Sequence, residues 1–130
     1  CTIEIDRRIV PGENWEVAFE HFKNFLTTQV PDVTVTHEQP YSTTPGMSDQ
    51  INEQLSSHLS KVIQEHGYSG RRVGVTYGTN AWAYAARNAP TVVFGPGSIQ
   101  QAHTVDEWIE IEQLHRATDI LYAFALQFGH

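Results

Sequence analysis

The class of fold is read from Thr91-Val92-Val93-Phe94-Gly95-Pro96-Gly97-Ser98-Ile99-Gln100-Gln101-Ala102-His103-Thr104-Val105-Asp106-Glu107. The apolar run 91–94 reads as a buried strand that ends at Gly95. Upstream, Val73, Val75 and Tyr77 fall on one side of a second strand over 71–77. Between them Gly78-Thr79-Asn80 caps a short alanine-rich helix, 81–87, which Asn88-Ala89-Pro90 stops. Strand, short helix and buried strand predict a parallel pair with a right-handed crossover, and so an α/β fold. Ligands of open α/β sheets bind beyond the carboxyl ends of the strands. Gly95 and Gly97 permit positive φ and close backbone approach there, and Pro96 stiffens the turn.

The loop then presents one imidazole, His103, and two carboxylates, Asp106 and Glu107. A neutral histidine on a rigid loop is a good zinc ligand, and nearby carboxylates can orient its far nitrogen. The competing reading has His103 capping the next helix while the glycines merely turn the chain. On spacing alone the second reading is preferred, because one histidine is not a metal site.

Working outward, residues 2–5 alternate polar and apolar in the period of a strand, and Pro11-Gly12 breaks it. Trp15, Ala18, Phe19, Phe22 and Leu26 then recur at helical spacing up to Gln29. Residues 33–36 read as another strand, so the first block is predicted as β-α-β. Residues 38–46 are rich in turn formers and mark a boundary, giving units 1–40 and 41–130. Met47, Ile51, Leu55, His58, Leu59, Val62 and His66 share one helical face, with Ser48 as a candidate N-cap and Gly67 in the C′ place. His58 and His66 are read as edge-of-core residues, and His21 and His115 as solvated. Residues 108–111 can be extended. Leu114, Ala117, Leu121, Phe124 and Phe128 define a last helix, followed by Gly129 and His130.

The 40% hydrophobic content of these 130 residues suffices for one core in a soluble body. The formal net charge of -7, with 8 Lys and Arg, argues against nucleic-acid or anionic-membrane partners. No apolar run reaches the length of a membrane span. A lone cysteine, Cys1, cannot form an internal disulfide, which favours the cytoplasm. The strand-like opening at Cys1, without methionine, is read as a piece of a longer polypeptide.

Gly78-Thr79-Asn80-Ala81, together with Pro90 to Gly97-Ser98-Ile99, Gln101-Ala102-His103 and Asp106-Glu107, resembles the carboxyl-terminal signature of a family of dizinc hydrolases. That family comprises acetylornithine deacetylase, succinyl-diaminopimelate desuccinylase, aminoacylase and carboxypeptidase enzymes, and the deacetylases are most alike. Ile5-Asp6-Arg7-Arg8, with Pro11-Gly12-Glu13, resembles a second family segment, which opens the later half of the inserted lid or dimerisation domain.

The resemblance implies that 1–40 is the later part of that lid. It implies that 41–130 is the carboxyl-terminal part of the catalytic domain. His103 would ligate one zinc of a dinuclear pair, two zincs per full-length chain with cobalt or manganese as substitutes, and a metal-bound hydroxide would attack the amide carbonyl. Arg8, Thr79, Asn80, Gly95 and Gly97 would contact the N-acyl amino acid or small peptide substrate. For Arg8 a solvated edge position stands beside the substrate-carboxylate role. Asp106 and Glu107 would support the metal loop or stabilise a helix start. Asn80 departs from the family pattern, in which an acidic residue follows the threonine.

The remaining ligands and the general base of the family come from an amino-terminal half with no counterpart in these residues. The chain alone is therefore expected to be inactive, to need that missing part, and to belong to a homodimer. A non-catalytic oligomerisation or binding module derived from the same fold is the alternative.

Overall fold

A computed structural model describes residues 1–128. Four α-helices occur among them: α1 (Trp15–Gln29), α2 (Glu53–Glu65), α3 (Ala81–Ala85) and α4 (Ile111–Phe128). No β-strand occurs among the described residues. The structure is all-helical there, which corrects the α/β class, the β-α-β opening block and the strand-helix-strand block expected from the sequence. The reason is physical: a helix closes its hydrogen bonds within itself, whereas a strand needs a neighbour for its N–H and C=O groups. The alternating residues Ile3, Ile5, Val33, Val35, Val73 and Val75 are all exposed. The periodicity is present, but among the described residues no strand pairs with any of these segments. Residues 108–110 are irregular, and Ile111 already opens α4.

Local signals explain the helix ends. Asn14 caps α1, its Oδ1 accepting from the N–H groups of Glu16 (2.7 Å) and Val17 (3.1 Å). Glu16 places a negative charge at the positive end, and Pro31 denies the helix a further donor. α2 starts later than its apolar period. The Asn52 N–H donates to Asp49 O (3.0 Å), so residues 49–52 form a turn, and Asn52 takes the capping position expected for Ser48. At the other end Gly67 adopts φ 84, and the Tyr68 N–H reaches back to Ile63 O (3.2 Å), as the expected C′ glycine requires. α3 is shorter than 81–87. Thr79 Oγ1 accepts from the Ala81 N–H (3.2 Å), and beyond the helix Asn88 turns left-handed at φ 58.

The core lies between α2 and α4, the two helices that pack together. Leu59 and Val62 of α2 and Ala117 and Ile120 of α4 are buried, and Val92, Phe94 and Phe124 pack against the cluster. Residues 91–94, expected as a buried strand, instead join no sheet and alternate, with Val92 and Phe94 inward and Val93 exposed. The Thr91 N–H donates instead to the Oδ1 of buried Asn52 (2.6 Å). That bond, with Phe94 behind it, sets where the Gly95 loop leaves the core.

His58 stands edge-on to Phe124 (5.3 Å) and Phe128 (5.8 Å), at the margin of the core as read from the sequence. His66 is exposed, its Nδ1 2.8 Å from Val62 O. His21 and His115 are exposed. Gly129 and His130 lie outside the described residues.

Candidate functional site

The loop after Phe94 is tied at two points. Gly97 has φ 96, a conformation that suits glycine, and its N–H donates to Gln113 Oε1 of α4 (2.9 Å). His103 also has positive φ, 61, and its backbone N–H donates to Glu107 Oε2 (3.1 Å). Glu107 therefore holds the histidine's backbone rather than its ring. Between these ties run successive turns, Gln101 N–H to Ser98 O (2.9 Å), Ala102 N–H to Ile99 O (3.3 Å) and Thr104 N–H to Gln101 O (3.4 Å). The segment leaves His103 exposed, with Gly95 and Asp106 exposed beside it in the chain.

The second group joins the two distant motifs. Arg8 pairs with Asp6 (3.0 Å), and a Cβ built on Gly78 would lie 3.8 Å from Arg8 Nη1. The arginine of the first motif thus stands next to Gly78 of the second. Thr79 is occupied in capping α3, and Asn80 takes the N-cap place without a side-chain bond to the helix. No hydrogen bond among the described residues links this group to the His103 loop.

Two structural contributors escaped the sequence reading. Asn52 carries a recognisable signal, an Asn-Glu step before an apolar helical period. Gln113 carries none, since its partner lies sixteen residues away.

Groups with shifted pKa lie elsewhere. Arg7 grips Glu13 through two bonds, 2.6 and 2.9 Å, across the Pro11-Gly12 turn. The Arg7 hydrogen bond, helped by the Val10 N–H, holds the Glu13 carboxyl below its ordinary 4.5. The contact therefore contributes at pH above the ordinary carboxylate range and is lost as pH falls through the depressed value. Arg7→Ala is expected to raise the Glu13 midpoint toward 4.5, read from its side-chain carboxyl carbon in an NMR titration. An open hollow of about 500 Å³ lies beside this pair, lined also by His21 and Phe22, and includes no residue of the His103 loop. In the hollow's rim Arg7 and Glu13 are committed to each other.

A catalytic zinc takes about three protein ligands. No group of three or more His, Cys, Asp or Glu placed to hold a metal ion occurs among the described residues. His103 is thus a lone donor, and the described residues do not fit a zinc site by themselves. No described helix is long and apolar enough to cross a membrane.

Comparison with known proteins gives the frame for this loop. An N-formyl-4-amino-5-aminomethyl-2-methylpyrimidine deformylase of Halalkalibacterium halodurans is 34% identical over 85 residues, covering 62% of this chain and 20% of the relative. An acetylornithine deacetylase of Vibrio parahaemolyticus is 25% identical over 93% of this chain and 31% of the relative. The chain thus spans less than a third of the length of either. No solved structure matches. The profile of Peptidase family M20/M25/M40 matches residues 4–127, both motifs included, and the chain belongs to that family of hydrolases.

Proposed function

We propose that this chain is the carboxyl-terminal portion of a metal-dependent amidohydrolase that removes a small acyl group from an N-acyl amino acid or cleaves a small peptide. The observation that carries the reading is the family match through 4–127, with the Gly95–Glu107 signature forming one tied loop that leaves His103 exposed. The two relatives support the reaction class, since deformylation and deacetylation both remove a small acyl group. In chemical terms water adds across an amide C–N bond and releases an acid and an amine.

Residues 1–40 are assigned to the lid or dimerisation part and 41–130 to the catalytic part. His103 would contribute one donor to a zinc pair, or to cobalt or manganese in its place, and the other donors would come from the rest of a family-length polypeptide. Arg8, close to Gly78, would meet a substrate carboxylate as a planar two-pronged donor, exchanging its pairing with Asp6 for the substrate, and Thr79 and Asn80 would contact the same substrate. Gly95 and Gly97 would line the same site, and Asp106 and Glu107 would shape the loop.

A second reading, a non-catalytic pairing module, draws on α1, which buries no residue and exposes Val17 and Phe25. The two are separated by the intact mass and zinc content of the polypeptide as its source makes it. The hydrolase reading expects a longer product that carries zinc. In that product His103→Ala should lower zinc affinity by at least about 100-fold, more than the loss of an outer partner causes, and abolish hydrolysis of N-acetyl amino acids. Unchanged zinc affinity in the variant would remove His103 from the site.

A further inference from the structure

The contact between Gly97 and Gln113 joins the loop to the first turn of α4, and the geometry around it is over-determined. Gln113 Oε1 accepts from the Gly97 N–H at 2.9 Å, while Gln113 Nε2 lies 3.5 Å from Glu110 Oε2. The carboxylate can only accept, so it fixes which end of the carboxamide faces the glycine. A Cβ on Gly97 would also meet Ile109 Cδ1 at 3.8 Å, so the segment leading into α4 lies against the same residue. From Gly97 the run of turns through Ser98, Ile99 and Gln101 leads without a break to His103.

We propose that Gln113 is a positioning residue: by holding the Gly97 N–H it sets the loop conformation that presents His103 in its left-handed backbone state. The proposal rests on the reading of His103 given above, and it assigns to α4 a role in the site that neither motif contains. It also implies that the Gly97 N–H is committed to Gln113, leaving Gly95 as the loop glycine free to meet a substrate.

The test is NMR on the full chain with Gln113→Leu, which keeps the bulk and removes the acceptor, and the double variant Glu110→Gln/Gln113→Glu, which keeps an acceptor oxygen at 113 and gives it a carboxamide donor in place of the neighbouring carboxylate. In Gln113→Leu the Gly97 amide should exchange about fivefold faster, the worth of one net hydrogen bond. The strong intraresidue amide-to-Hα contact that a positive φ produces at His103 should weaken in the same variant. The double variant should restore both. Unchanged Gly97 exchange in the leucine variant overturns the proposal. So does faster exchange with His103 unaffected, or failure of the double variant to rescue. None of these signals involves a metal, so they fail or hold independently of the zinc affinity of His103→Ala.

Discussion

Ile120→Ala is expected to lower stability by about 2–3 kcal/mol, the low end for an isoleucine truncated in a core. Ile120 is 5% exposed and faces Leu59 and Val62, with Val62 completely buried. The loss has two parts, the transfer of the removed carbons and the cavity they leave. The low end applies because Phe124 and Ile63 at the margin of the cluster are only partly buried and can relax into the gap. With so few buried side chains, α2 and α4 depend on each other for any tertiary burial. Urea unfolding followed by far-UV circular dichroism should show a lower midpoint and a loss of helical signal from both helices. A midpoint that does not move would mean that the α2–α4 contact does not hold the helices in solution.

Asn52→Ala is expected to cost about 2 kcal/mol through a different mechanism, stranded polar groups. Asn52 is 3% exposed; its Nδ2 donates to Ser48 O (2.7 Å) and its Oδ1 accepts from the Thr91 N–H (2.6 Å). Truncation removes both partners at once and leaves a half-buried donor and a carbonyl to find water. The consequence reaches the loop, because Thr91 is held only a few residues before Gly95. Asn52→Asp keeps the acceptor for Thr91 and loses the donor to Ser48, so it should retain part of the stability that alanine loses. Amide exchange at Thr91 is the direct readout: fast in the alanine variant, slower in the aspartate. Equal exchange in both would show that the side-chain oxygen does not carry the contact.

The helices were legible because their signals are local. Trp15, Phe19, Phe22 and Leu26 repeat at helical spacing, and Pro31 marks an end that the structure reproduces at Gln29. Gly67 at the end of α2 was readable for the same reason, since a left-handed terminal residue is chosen by backbone sterics alone. The start of α2 was misread at Ser48, because a turn over 49–52 competes with the first helical turn and Asn52 wins the buried position. The strand patterns, alternation at 71–77 and an apolar run at 91–94, were equally clear, yet they state only which side chains could share a buried face. Whether a partner meets that face is a non-local matter. Val92 and Phe94 found one in α2 and α4, whereas Val73 and Val75 did not.

The sequence by itself determined the family, through the Ile5-to-Glu13, Gly78-to-Ala81 and Pro90-to-Glu107 segments, and it placed α1 and α4 through periodicity that needs no neighbour. Only the tertiary structure decided that the strand-like stretches remain unpaired, that Asn52 anchors Thr91, that Arg8 stands beside Gly78, and that Gln113 holds Gly97. The division has one physical cause. Capping and helical hydrogen bonds are settled within a few residues, while ladders, side-chain clasps and burial require groups far apart in the chain to meet.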